Sequence, residues 1–417
     1  MSRSRPVLAL AGTFVLNAVF WAVALATTPG PWPPQRVAAE FLSTSALLVM
    51  STNLMLVTRA KPFEDFFGGL DKVFMSHRLN GLTAVTLLST HFLVMPESAG
   101  WVPSKLVGYP TLTFLVIAVL IAIAPRAPWR RLVPLRYQDW KLAHRTQGLL
   151  VAAGVTHSLL AHPLVLGLPL MRVWVYGVAA LGLTAYVFRE TVEPALLQRH
   201  RYRVGEPIHL AGDVLEIPLE PVENALVHEP GQFAFVRFEG GPTREQHPFT
   251  ISAGPAGGHL RFSVKASGDY TRELQHHLAT GSRARVEGPY GRFEFQAEGP
   301  RQLWLAGGIG VTPFLAFLPA VDEDRDITFV WTVRAAADAA YLDEIRRTLA
   351  RRPRIDFRLQ ATGTDGHLRL ADLRLERPSD LSVFICGPVP MRDAFVDELL
   401  TLGVRRPRIH YEEFSLR

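Results

Sequence analysis

Residues 77–91 read HRLNGLTAVTLLSTH, an apolar stretch closed by a histidine at each end, and this spacing limits what the chain can build. On a helix of 3.6 residues per turn, the step from His77 to His91 ends about 40° short of four full turns and rises about 21 Å. Both imidazoles then look the same way, near opposite edges of a hydrocarbon layer roughly 30 Å thick. A second stretch, His144 to His157 (HRTQGLLVAAGVTH), repeats the arrangement one residue shorter, with a rise of about 19.5 Å. Two such helices would hold two flat metal cofactors, one above the other. The shorter step leaves His157 about 140° away from His144 on an ideal helix, so this helix must bend or sit off-centre. His162 returns to the face of His144 but lies about 27 Å along the axis, and is read as an outer-surface candidate.

Six apolar segments can span a bilayer, the fourth of them short: residues 7–27, 37–58, 77–95, 110–125, 144–162 and 171–189. Arg3, Arg5, Arg59, Lys61, Lys72, Arg126, Arg130, Arg131, Arg136 and Lys141 fall on one side of these segments. The other side has only Arg36, Lys105 and the boundary residue Arg172. By the positive-inside rule the N-terminus and everything after residue 190 are cytoplasmic. His77 and His144 then lie at the inner edge, and His91 and His157 at the outer. The orientation rests on loop charge alone, so its agreement with the histidine pairing is independent support. A lone intramembrane histidine is ordinarily an interhelical hydrogen-bonding contact, but four with matched separation and sidedness read as metal ligands. Arg78 either snorkels to the interface or pairs with an acidic group of the cofactor.

Composition sharpens this. Hydrophobic residues make up 48% of the 417, with the excess in the first 190, so the chain reads as half membrane and half soluble. The net charge of +6 fits basic cytoplasmic loops, with no interleaved basic and aromatic pattern for nucleic acid. Cys386 is the only cysteine, which excludes an intrachain disulfide, a four-cysteine iron–sulfur cluster and covalent haem attachment. A haem would therefore be held by histidine alone. The N-terminal apolar run is too long for the core of a signal peptide and is read as retained.

From about residue 200 the texture changes. Runs such as GQFAFVRF, HLRFSVK and RARVEG, separated by Gly- and Pro-rich turns, predict a small antiparallel barrel ending near Phe295. Beyond Arg301, strands at 302–306, 326–333, 354–359 and 381–386 alternate with helices at 311–319, 338–350 and 389–402, the pattern of a parallel α/β sheet. LWLAGGIGVTPF (303–314) sets Gly307, Gly308 and Gly310 between a strand and a helix, where backbone N–H groups can approach a pyrophosphate. ICGPVPM (385–391) ends another strand at the same edge. His276 and His277 have no third ligand nearby in sequence and read as a solvated helix face.

The barrel carries His247-Pro248-Phe249-Thr250-Ile251-Ser252, then Val264-Lys265 with Gly268-Asp269-Tyr270-Thr271, then Gly288-Pro289-Tyr290-Gly291. In this order, ahead of the two glycine turns, the set resembles the ferredoxin-NADP reductase superfamily. With paired histidines in front, residues 40–417 resemble the ferric reductase and NADPH oxidase family of bacterial type. The resemblance implies a six-helix haem domain (1–195), an FAD-binding barrel (196–298) and an NAD(P)-binding α/β domain (299–417). It implies two b-type haems, the inner on His77 and His144 and the outer on His91 and His157. Thr250 would hydrogen-bond near flavin N5, with the remaining barrel residues along the FAD and His247 and Lys265 toward its ribityl and phosphate end. Gly307, Gly308, Gly310, Val311, Thr312 and Pro313 would hold the nicotinamide nucleotide phosphates, with Cys386, Gly387 and Pro388 beside the nicotinamide. Phe414, in Tyr411-Glu412-Glu413-Phe414, would cover the flavin. Arg334, at the edge that faces the adenine ribose, favours NADPH over NADH.

The expected activity is electron transfer from cytosolic NAD(P)H through FAD and haem to an acceptor outside a bacterial inner membrane, either oxygen or a ferric chelate. Oxidases that the chain resembles carry a histidine one turn beyond the outer ligand, where this chain has Met95. The alternative is a haem-binding membrane subunit or a quinone-linked partner of another protein.

Overall fold

The structure, a computed structural model, describes residues 4–96, 102–123, 137–161, 163–193, 196, 200–239, 245–254 and 256–412. The chain divides into two compact units, Ser2–Pro194 and Ala195–Arg417.

The first unit is helical: α1 (Ser4–Thr27), α2 (Pro34–Leu56), α3 (Lys61–Phe67), α4 (Leu70–Val94), α5 (Pro103–Ile123), α6 (Tyr137–Arg145), α7 (Gln147–Leu160), α8 (Leu164–Gly167) and α9 (Pro169–Thr191). Pro34 and Pro169 open their helices at the first position, where the missing N–H has no intrahelical partner to lose. Gly68 and Gly69, at φ 77° and 133°, close α3 in a conformation other residues rarely adopt, and both N–H groups donate to the Glu64 carbonyl. The central helix is α2, packed on α4 and α9, with 56% of its apolar span buried against 6% for α5. Val7, Val15, Leu106, Phe114, Val173 and Leu181 instead point outward, an apolar exterior suited to lipid. Inside, Asn17 Nδ2 donates to Thr44 Oγ1 (3.2 Å) and Ser45 Oγ (2.9 Å), tying α1 to α2.

Six spans reduce to four among the described residues: α1, α2, α5 and α9 alone combine the length and apolarity to cross a bilayer. The third predicted segment lies on α4, which starts at Leu70 and adds Asp71 and Lys72 to Arg78. The fifth is broken between α6 and α7, at 9 and 14 residues each too short for the roughly 20 a span needs. The fourth starts earlier than its apolar run, at Pro103, and continues through Pro110.

The second unit holds two sheets. Strands β1 (His200–Val204), β2 (Ile208–Leu210), β3 (Val214–Glu223), β4 (Phe233–Glu239), β5 (His247–Thr250), β6 (Leu260–Lys265) and β7 (Arg283–Tyr290) pair antiparallel in the order β2-β3-β1-β7-β4-β5, with β6 on β3. A bridge from Ile251 to Phe262 closes the ring. Its interior is apolar, with Ile217, Val236, Phe262 and Val286 fully buried and Leu274 of the helix Asp269–His277 packed among them. Strands β8 (Arg301–Gly307), β9 (Asp326–Val333), β10 (Ile355–Ala361), β11 (Ser382–Cys386) and β12 (Ile409–Tyr411) form a parallel sheet in the order β10-β9-β8-β11-β12. Both faces are covered, and every residue of β11 is buried, as all-parallel sheets require. The three-residue β12 carries no sequence signal of its own.

Candidate functional site

In the parallel sheet the strand order reverses between β8 and β11, and ligands of such sheets sit beyond the carboxyl ends of the strands at that point. Both glycine turns leave the sheet there. A Cβ on Gly310 would run into the Cys386 carbonyl and the Gly387 nitrogen, and one on Gly387 would meet the Gly307 backbone at 3.1 Å. The two turns therefore touch backbone to backbone, and only glycine allows the approach. Met391 closes the floor, since a Cβ on Gly307 would lie 2.5 Å from its sulfur. Trp331 Nε1 donates to the Gly308 carbonyl (2.9 Å) and Thr332 Oγ1 to the Ala306 carbonyl (3.0 Å), fixing the turn from β9. Val311, Thr312 and Pro313 are buried, and Thr312 Oγ1 donates to the Ile309 carbonyl (3.1 Å). Pro388 and Arg334 are exposed at the same edge.

Cys386 is buried. Burial, with the Glu412 carboxylate adding to it, pushes its thiol well above the ordinary thiol range. Glu412 also reaches the barrel, because a Cβ on Gly291 would meet its Oε1 at 2.6 Å and Phe233 at 3.1 Å. Phe233 stands opposite Thr250 in the β4–β5 ladder. Glu412 thus lies between the strand pair that carries Thr250 and the turn that carries Cys386. Sequence reading passed over it, although it stands in the Tyr411-Glu412-Glu413-Phe414 run. Phe414 and His162 lie outside the described residues.

Along the barrel, Thr250 is buried and His247, Pro248 and Phe249 are partly so. His247 stacks on Tyr270, ring centroids 3.7 Å apart, and its Nε2 meets Glu245 Oε2 at 2.7 Å. Among the described residues the buried Tyr270 hydroxyl has no hydrogen-bond partner, and burial together with Glu245 pushes its pKa up. Thr271 Oγ1 accepts from the N–H groups of Ser267 and Gly268 (2.9 Å each), shaping the turn before Asp269. Lys265 is partly exposed, Val264 is buried, and Gly288 sits at φ 153° beside Ala234. Ser252 is fully buried, its hydroxyl engaged with the Arg261 carbonyl and Ser263 Oγ (3.0 Å each).

In the helical unit, His77 Nε2 and His144 Nε2 face each other at 3.4 Å with their rings nearly perpendicular (82°). Trp140, one turn before His144 on α6, stacks on it at 5.2 Å and 7°. Thr146, at ψ −5°, interrupts the helix immediately after α6, with i→i+3 bonds from Thr146 N to Ala143 O and from Leu149 N to Thr146 O. The break falls inside the thirteen-residue step from His144 to His157. His91 and His157 share a second feature: each Nδ1 meets a backbone carbonyl at 2.8 Å, Ala39 for His91 and Ser104 for His157. With Nδ1–H donating there, each Nε2 is left as a bare lone pair, the state in which metal-binding histidines are held. Gly108 makes room, since a Cβ there would lie 2.5 Å from His157 Nδ1.

The family models match within the C-terminal unit. The model of the FAD-binding domain family matches residues 203–301, and that of the oxidoreductase NAD-binding domain matches residues 304–397. The closed barrel, the reversed parallel sheet and these matches define a FAD- and NAD-binding oxidoreductase module of the ferredoxin-NADP reductase type. More particularly, the paired FAD-binding and NAD-binding domains are arranged as in flavohemoprotein-like reductases. The chain is 28% identical over 243 residues to the reductase component of propane 2-monooxygenase from Rhodococcus jostii, covering 52% of this chain and 64% of that one. It is 28% identical over 231 residues to a flavohemoprotein from Pseudomonas aeruginosa, covering 52% and 58%. The chain spans less than two thirds of the length of these curated relatives. A flavohemoglobin structure from Malassezia yamatoensis superposes with a TM-score of 0.51 at 18% identity over 91% of this chain and 96% of that one, a likeness of fold alone.

Proposed function

We propose that the chain is a membrane-embedded oxidoreductase that carries electrons from cytosolic NAD(P)H, through FAD and two bis-histidine b-type haems, to oxygen or a ferric chelate on the outer side. Its domains would be 1–195 for haem, 196–298 for FAD and 299–417 for NAD(P)H, with the N-terminus and the reductase module cytoplasmic. The observation that carries this reading is the histidine geometry. His77 and His144 converge through Nε2, and His91 and His157 each have Nδ1 tied to a backbone carbonyl.

The residues present suit the three groups. Four imidazoles would supply the protein ligands of two haems; the Tyr270 hydroxyl, without a hydrogen-bond partner among the described residues, would meet a polar ligand atom; and the missing Cβ atoms of Gly307, Gly310 and Gly387 let the two turns close on each other at the sheet edge where the nucleotide would sit. FAD, when bound, turns the two-electron hydride of NAD(P)H into the single electrons that haem accepts. In this reading Thr250 and Cys386 flank the reacting ring faces, the glycine turns seat the nucleotide phosphates, Arg334 meets a ribose phosphate, and Phe414 covers the flavin. Cys386, buried and with its thiol pKa pushed up, would pack against the nicotinamide.

Anaerobic addition of NADPH to the purified chain, followed by oxygen or ferric citrate, tests the proposal. Haem bands that reduce with NADPH and reoxidise with one acceptor support it and name that acceptor. A purified chain supplied with haem that binds none, or haem that NADPH leaves oxidised, overturns it. The names of the propane monooxygenase reductase and of the demethylase beta subunit from Ectopseudomonas mendocina favour a protein acceptor as the second reading. Reoxidation that requires an added protein fraction would select that one.

A further inference from the structure

The barrel and the parallel sheet meet at a hydrogen-bonded chain that begins on the Thr250 segment. Two residues past Thr250, Ser252 Oγ donates to the Arg261 carbonyl (3.0 Å), which uses its only proton. Ser263 must therefore donate to Ser252 (3.0 Å), which leaves the proton of the 2.6 Å Ser263–Tyr341 contact to Tyr341, at the start of the helix Leu342–Leu349, whose hydroxyl also faces Glu216. Three buried hydroxyls are satisfied in one direction only, from the nucleotide-binding sheet into the barrel. Arg261 doubles the link. Its two terminal nitrogens reach the two oxygens of Glu344 on that helix at 2.9 Å each, and one of them also donates to the Ser252 carbonyl (2.6 Å). Its guanidinium lies 5.5 Å from the Tyr341 ring centre. A planar bidentate fork fixes direction as well as distance, and a chain of aligned hydroxyls does not slide.

We propose that Ser252, Ser263, Tyr341, Arg261 and Glu344 form a clamp that holds the nucleotide-binding sheet in register with the Thr250 strand, making them positioning residues for hydride transfer. The inference rests on the reading that Thr250 and the β8–β11 edge flank the reacting rings, and it reassigns Ser252 from flavin contact to the clamp. Hydride transfer needs its donor and acceptor within a narrow window, and a shift of about 1 Å can cost about a hundredfold in rate. Loosening the clamp should therefore slow transfer without weakening the binding of either cofactor.

The test uses the full chain with FAD bound, comparing Tyr341→Phe, Arg261→Lys and Glu344→Gln. Flavin bleaching by NADPH is followed in single turnover across NADPH concentrations, and bleaching by dithionite, which needs no nicotinamide geometry, serves as the control. The expected result is a limiting rate lowered about tenfold or more, with half-saturation by NADPH, FAD content and the dithionite rate unchanged. Arg261→Lys combined with Glu344→Gln should be no slower than the worse single variant, since both break one fork. An unchanged limiting rate overturns the clamp. So does loss of FAD or of dithionite reduction in step with the NADPH rate, because the residues would then hold the fold or the flavin. Failure of the underlying reading looks different: NADPH would leave the flavin of the unaltered chain oxidised.

Discussion

The two units organise their candidate chemistry by opposite means. In the reductase module the site is made of backbone: Gly307, Gly310 and Gly387 are pressed against neighbouring main chain and against Met391, and the sheet beneath them is buried on both faces. In the helical unit the candidate ligands are side chains, two on the long helix α4 and one each on the short helices α6 and α7. They are aimed by single contacts, the Ala39 carbonyl for His91 and the Ser104 carbonyl for His157, with the Trp140 ring stacked on His144. At Gly307, Gly310 and Gly387 an added Cβ meets protein atoms, whereas the histidine pairs depend on their ligating nitrogens and on the few groups that aim them, Gly108 among these. Each region therefore breaks in its own way.

The largest expected effect falls on the histidines. Replacing His77 or His144 by Ala removes one of two opposed nitrogens and should abolish reduction of the outer acceptor, with one haem lost from the pyridine haemochrome assay and flavin reduction by NADPH intact. Retention of both haems in either variant would end the bis-histidine reading. In the module, Gly310→Ala drives a methyl group into the Cys386 carbonyl. Overpacking of this kind costs about 1–3 kcal/mol, so NAD(P)H affinity should fall by about ten- to a hundredfold. FAD content should hold, and wild-type affinity would show that the two turns are not the nucleotide seat.

A smaller effect belongs to Arg334, which is exposed at the end of β9. Arg334→Ala should reduce the preference for NADPH over NADH by about tenfold, the worth of one exposed charge-assisted contact of about 1.4 kcal/mol. Equal slowing with both nucleotides would mean the arginine does not meet the 2′-phosphate.

These contrasts also decide what could be read in advance. The parallel sheet was legible because buried strands are continuous apolar runs, and β8 to β11 fall within two residues of their predicted limits. The glycine turns were legible because backbone approach leaves a mark on residue type. The His77–His91 face was legible because α4 runs unbroken through both. The His144–His157 step showed that its helix must bend or sit off-centre, but not that the interruption falls at Thr146. Span count failed where length and polarity diverge: α4 is long but charged, and α7 is apolar but short. Glu412, Met391 and Tyr341 were invisible for a plainer reason. Each matters through a neighbour distant in sequence, and one chain read alone carries no record of such contacts.

The smallest effect concerns Cys386 and tests how dry the module's edge is. Its thiol is buried and held neutral in the fold, first by burial and then by Glu412. In the unfolded chain a thiol ionises near pH 8.5. Above that pH the unfolded state has released a proton that the folded state keeps, so stability is fully present below the unfolded value and falls as pH rises through it toward the folded one. One pH unit beyond, the loss from this group is about 1.4 kcal/mol. For a unit of this size that lowers the unfolding midpoint by roughly 3–6 °C. Tyr270 and Tyr341 shift in the same direction but start from phenols near pH 10 and add little below it. The midpoint for FAD release from the full chain in detergent should therefore drop between about pH 8 and 9.5. Cys386→Ser, which keeps the volume without the ionisation, should flatten that drop. Parallel curves for the two proteins would mean that the folded thiol ionises freely, and that water reaches the turn the glycines build.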